Sequence, residues 1–210
     1  MNKGLIGRKL GMTQVFSLDG AVPVTAIEAG PCTVIQKKEK AKDGYDALQL
    51  GFGRKKVKNV TKPLQGHFKK ADRGVFQVLR EFRLDSTDGY EVGNEVTVDV
   101  FQIGDTVDIV GISKGRGFAG GVKRHGFKGG RMTHGSMFHR APGSIGASAD
   151  PSRVLKGKKL PGHMGNHRMT VQNLKICGIR PDKNLLLVKG AVPGCTNGII
   201  LIKNSIKAKK

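Results

Sequence analysis

The sequence contains no tryptophan, two tyrosines and nine phenylalanines in 210 residues. So few rings argue against an aromatic stacking platform as the main binding device. Cysteine is equally scarce: Cys32, Cys177 and Cys195 lie far apart and are odd in number. No pair has metal-ligand spacing, so all three read as buried thiols in a reducing compartment. No apolar run approaches the ~18 residues of a membrane span. The N-terminal stretch lacks the apolar core of a signal peptide, so a soluble cytoplasmic protein is expected. Acid is the remaining shortage. Against 37 Lys and Arg stand 16 Asp and Glu, a formal charge of +21 with a pI near 10.2. That balance favours a polyanionic partner, nucleic acid before an anionic membrane surface.

The charge is concentrated in residues 114–168. These 55 residues hold 12 Lys and Arg, the single acid Asp150, 13 glycines and five of the six histidines. Val, Ile, Leu and Phe together number eight there. A segment below roughly 20% in those residues, with high net charge, buries too little apolar surface to offset its chain entropy. It is expected to be a basic arm projecting from a folded body and ordered by a polyanion. The candidate contacts fall in three clusters. The first is Lys114, Arg116, Lys123, Arg124, Lys128 and Arg131; the second is Arg140 and Arg153; the third is Lys156, Lys158, Lys159 and Arg168. His125, His134, His139, His163 and His167 suit neutral donors among phosphates and bases. Arg8 and Lys9 interrupt an apolar pattern and are either a solvated strand face or further phosphate contacts. Between the clusters, residues 141–148 are small and uncharged. A charged stalk with a compact neutral tip fits folded RNA, whose crevices are read by shape and backbone.

Other chemistries find little support. Residues 115–120 match GxGxxG after a strand, but a dinucleotide site needs a helix start and an acid about 20 residues on. Glycine density over 122–130 argues against that helix, and the first acid is Asp150. The histidines have no cysteine near them and one acid, which is poor metal-site material. Ser136, Ser144, Ser148 and Ser152 lack a nucleophile elbow and a second carboxylate. No cofactor, metal, catalytic residue or small-molecule substrate is therefore expected. On the residues alone, an RNA-modifying enzyme and a free-standing RNA chaperone remain alternatives to a structural RNA-binding protein.

The fold class reads as mainly β. A hairpin turning near Gly11 is expected over residues 5–16, then strands over 21–29, 32–38 and 45–52 with an exposed charged loop over 37–44. A short helix is expected after Thr61, through 65–71, then strands over 75–84 and 95–100. Residues 57–100 read as a small α+β insertion. Strands over 106–112, 171–179, 185–188 and 199–202 complete a closed β-barrel body of residues 1–113 and 169–210, assembled from both sides of the arm at 114–168. The lysine-rich tail over 203–210 is expected to be exposed.

The run Phe101-Gln-Ile-Gly-Asp-Thr-Val-Asp108-Ile-Val-Gly111-Ile-Ser113-Lys-Gly115-Arg116-Gly117-Phe-Ala-Gly120-Gly-Val-Lys-Arg124 resembles the signature of the ribosomal protein L3 family. GLIGRKLGMTQVF, RHGFKGGRMTHGSMFHRAPGSIG and GKKLPGHMGNHRMTVQNLKI extend the resemblance over the whole chain. The absence of long eukaryote-like extensions points to the bacterial form. The resemblance implies a six-stranded barrel of the translation-protein type. It also implies a structural role in the large subunit, with direct binding to 23S rRNA and early action in assembly. A long loop would reach toward the peptidyl transferase centre, with Gly143, Ser144, Ile145, Gly146, Ala147 and Ser148 at its tip. Ribosomal proteins L14 and L19 are implied as neighbours, with no self-association. Some bacterial members carry a methylated glutamine directly after GSIG; this chain has Ala147 there, so that modification cannot occur.

Overall fold

The computed structural model describes residues 3–17 and 20–207. β1 (Gly4–Ser17) is one continuous strand, not the expected hairpin about Gly11. It pairs antiparallel with β2 (Gly20–Ala29) from Gly7↔Ala29 to Ser17↔Gly20, and the register shifts between Lys9 and Gly11. The glycine read as a turn thus lies beside a β-bulge, where one extra residue increases local twist without reversing the chain.

β3 (Cys32–Lys38) follows the Gly30-Pro31 turn. The charged stretch after it forms one helical turn, α1 (Lys40–Asp43), closed by Gly44 at φ 82°. β4 (Ala47–Arg54) leads to α2 (Lys62–Lys69), with Thr61 as the extended cap residue and Pro63 in the first turn. β5 is Phe76–Arg83. β6 is only Glu95–Val96, because the chain tightens into a 3₁₀ turn at Val98–Val100. β7 (Thr106–Ile112), β8 (Phe118–Ala119), α3 (Gly121–His125) and β9 (Gly162–His163) come next. β10 (Arg168–Arg180), β11 (Leu185–Lys189) and β12 (Ile199–Asn204) end the order.

Six strands close an antiparallel barrel in the order β1-β12-β7-β10-β11-β2. Alternation explains its interior. Val107 and Ile109, Ile200 and Ile202, and Leu186 and Val188 are each at most 1% exposed. Ile27, Leu5 and Ile176 join the same cluster. Leu5 and its neighbour Ile6 are both fully buried. Successive strand residues point to opposite faces, so both faces of β1 are covered here. The outer cover is a four-stranded sheet, β5-β4-β3-β6, whose Leu48, Leu50, Phe82 and Val96 belong to the barrel's hydrophobic cluster. A Cβ added at Gly4 would run into the Phe82 ring, so glycine sets how closely that ring approaches. A smaller cluster of Ile35, Phe68, Ala71, Val75 and Phe76 seats α2. The insertion therefore begins at β3, not at residue 57. Barrel and cover strands share the same period-2 pattern, and only pairing separates them.

The cysteine expectation holds for Cys32 alone: Cys177 and Cys195 are exposed. Burial pushes the Cys32 thiol up to about 12. Its Sγ donates to the Ile6 carbonyl at 3.4 Å. Two compact units emerge. One comprises the chain up to Ile112 and from Arg168 onward; the other is Ser113–His167, inserted in the chain between β7 and β10. Among the described residues no helix is long and apolar enough to cross a membrane.

Candidate nucleic-acid interface

The second unit is held together by backbone and loop contacts. Ser113 N donates to the His167 carbonyl at 2.9 Å, and His167 N to the Ser113 hydroxyl at 3.3 Å. Next, Arg116 N reaches the Met164 carbonyl at 2.8 Å and Met164 N the Gly117 carbonyl at 2.9 Å. β8 and β9 continue the ladder with Phe118↔His163 and Ala119↔Gly162. α3 follows, a helical turn that the glycine density argued against. Gly126, at φ 71°, ends it by returning its N–H to the Gly121 and Val122 carbonyls. Arg124 and His125 both donate to the Leu160 carbonyl, at 2.7 and 3.1 Å, and tie the helix to the chain just before β9. That carbonyl can only accept, so the proton sits on His125 Nε2.

Beyond Phe127 the contacts become sparse and local. Gly130 N donates to the His139 carbonyl, and His139 Nδ1 to the Arg131 carbonyl, both at 2.9 Å. A Cβ at Gly130 would collide with the Phe138 carbonyl, which explains glycine at that crossing. Ser144 Oγ donates to the Gly146 carbonyl at 3.0 Å and shapes the tip.

Burial is nearly absent from this unit. Ala119 and Gly121 are its only buried residues among those described. Phe118 is 79% exposed and Met137 99%. Eleven Lys and Arg share Ser113–His167 with one acid, Asp150. Among the described residues, ion pairs such as Lys38–Glu81 at 2.9 Å and Lys3–Asp105 at 3.8 Å lie in the first unit. Lys114, Arg116, Lys123, Arg124, Lys128, Arg131, Arg140, Arg153, Lys156, Lys158 and Lys159 are exposed. So are His134, His139, His163, His167 and every tip residue from Gly143 to Ser148, whereas His125 is half-buried. Among the described residues no group of three or more His, Cys, Asp or Glu could hold a metal ion.

Three expected contacts lie elsewhere. Arg168 is exposed but belongs to β10, opposite Ile112. Arg8 is half-buried, 3.9 Å from the Glu28 carboxylate, with its guanidinium 6.0 Å from the Phe52 ring. Lys9 is a correction. It is 8% exposed, and its ammonium donates to the Val192 and Gly194 carbonyls at 2.7 and 3.1 Å. An ammonium held by carbonyls inside the fold is not presented to a phosphate.

The sequence also concealed a cleft. Lys3, Arg83, Arg168 and Lys203 line a cavity of about 540 Å³ in the first unit, with Glu81 and Asp108 also at its wall. The Asp108 carboxylate is buried and accepts the backbone N–H of Asn173 at 2.9 Å. Arg83 lies 4.8 Å from the Tyr45 ring and Lys203 5.7 Å from the Phe82 ring. In the sequence Arg168 reads with a basic cluster and Lys203 with the lysine-rich tail, although Lys203 lies in β12, and nothing local brings them together with Lys3 and Arg83.

Comparison with known proteins agrees with the signature. The family model described as Ribosomal protein L3 matches residues 83–184. The large ribosomal subunit protein uL3 of Syntrophus aciditrophicus (strain SB) is 63% identical over 209 residues, 99% of this chain and 96% of the relative. The uL3 of Geobacter sulfurreducens is 55% identical over 210 residues and is covered completely, as is this chain. Likeness of that depth along the full length means that the chain belongs to the ribosomal protein L3 family.

Proposed function

We propose that this chain is a structural constituent of the bacterial large ribosomal subunit, that it binds 23S rRNA directly and that it acts early in assembly. The observation carrying this reading is the second unit: eleven exposed cations, one acid, and almost nothing buried. Cations on such a segment displace condensed counterions from RNA, which supplies affinity without base reading. Arginines add bidentate grips on phosphate, and histidines add neutral donors. Contacts to crowded phosphates replace the core that the segment lacks. The tip, Gly143 to Ser148, carries no charge and no acid. It fits a narrow space near the peptidyl transferase centre, where it tunes geometry and leaves catalysis to RNA. The body anchors on the subunit beside ribosomal proteins L14 and L19. Lys3, Arg83, Arg168 and Lys203 provide the body with a second phosphate-binding surface.

A salt titration of 23S rRNA binding tests this. Replacing Lys156, Lys158 and Lys159 together by Ala should flatten the log–log salt slope by about 2, at roughly 0.7 per lost phosphate contact. An unchanged slope would remove this cluster from the interface. Equal affinity for unrelated RNA would favour a general RNA chaperone instead.

A further inference from the structure

One stretch runs against the charge of the whole. From Leu10 to Gln36 the chain carries no lysine or arginine, although 37 are spread over its 210 residues. Its acids are Asp19 and Glu28. Within this stretch lie the later half of β1 and all of β2. The pairing of β1 with β12 stops at Arg8, and over Gly11–Ser17 it pairs with β2 and no other strand among the described residues. The pairing of β2 with β11 stops at Val24. The two strands therefore continue past the barrel as a two-stranded ribbon.

The larger side chains at the end of this ribbon are mostly apolar and uncovered. Met12 is 53% exposed, Phe16 76% and Leu10 41%. Met12, Gln14 and Phe16 share one face, opposite Thr25, Pro23 and Ala21 of β2. Proteins protect an exposed strand edge with lysines, other charges or a covering element. This edge has no charged residue from Gly11 to Ser17. A two-stranded ribbon is also marginal by itself in water. Uncharged, exposed and apolar, it has the character of a surface that a partner covers.

We propose that the ribbon is a docking surface for a neighbouring large-subunit protein that presents an apolar face. This rests on the ribosomal reading above. RNA is a poor occupant, because phosphates would meet no cation along Gly11–Ser17 or along β2 from Gly20 to Val24. A second copy is a poor one, because two chains of +21 would be brought together. A protein that shares the same polyanion carries cations for the same reason as this chain. A cation-free ribbon is the part of this surface that such a neighbour approaches without like-charge repulsion.

The test uses the full chain as the sole copy in bacterial large subunits. A benzophenone amino acid replaces Phe16 in one variant, Met12 in a second and Ile145 in a third, and purified subunits are irradiated. The ribbon positions should yield an adduct with one other large-subunit protein, and the Ile145 position an adduct with rRNA. Adducts of both ribbon positions with rRNA or with a second copy, or no adduct at either, would overturn the docking proposal. Failure of the Ile145 variant to crosslink rRNA would instead count against the ribosomal reading on which it stands.

Discussion

At the scale of residues, burial decides what a charged or reactive group does. Lys9 sits beside the β1 bulge, and its ammonium is capped by carbonyls 183 and 185 positions away. Lys9→Met should cost about 1.5–3 kcal/mol in urea unfolding, the range for hydrogen bonds to a charged group, and leave the salt slope of rRNA binding unchanged. A changed slope with unchanged stability would return Lys9 to the phosphate-contacting set. Cys32 illustrates the same rule for a thiol. Its folded value is raised, so its contribution to stability is complete below the ordinary thiol range and is lost as pH rises toward about 12. Iodoacetamide at pH 8 should therefore label Cys177 and Cys195 in the native protein, and Cys32 only after unfolding. Rapid native labelling of Cys32 would contradict its burial. The burial of Cys32 is expected from the sequence, but the exposure of Cys177 and Cys195 and the burial of Lys9 were not legible from residue type. A lysine in an interrupted apolar pattern looks like surface until the distant loop that receives it is in place.

At the scale of elements, period-2 alternation was a good guide to strands and a poor one to their partners. β3 matches the expected residues 32–38, and β11 and β12 differ by one or two residues at their ends. Alternation could not show that β3 and β4 leave the barrel, because a strand covered by a second sheet shows the same pattern as a barrel stave. Nor could it separate a bulge from a turn at Gly11, since both use glycine. The glycines of the second unit were legible as a class but not one by one. Gly130 is the most constrained of those considered, because its missing side chain lets the Phe138 carbonyl pass. Gly130→Val should weaken rRNA binding by about tenfold or more, equivalent to ~1.4 kcal/mol. The melting temperature of the free protein should shift by no more than about 2 °C, because the barrel supplies the cooperative unit. A large loss of melting temperature would show that the second unit is a structural part of the body.

At the scale of the whole molecule, the protein divides its physics between two units. The barrel and its cover sheet hold the hydrophobic clusters and the ion pairs. Ser113–His167 holds eleven cations, one acid and two small buried residues. Composition alone made this division legible, since a segment with eight Val, Ile, Leu and Phe in 55 residues has no material for a core. The four-cation cleft was not legible, because folding gathers it from distant segments. The central claim is that the second unit takes its shape from rRNA and not from its own interior. Hydrogen exchange on the full chain, free and bound to 23S rRNA, tests it most directly. Amides over residues 123–159 should exchange at nearly unprotected rates in the free protein and slow markedly in the complex, while barrel amides stay protected in both. Strong protection of residues 123–159 in protein freed of all polyanions would contradict the account.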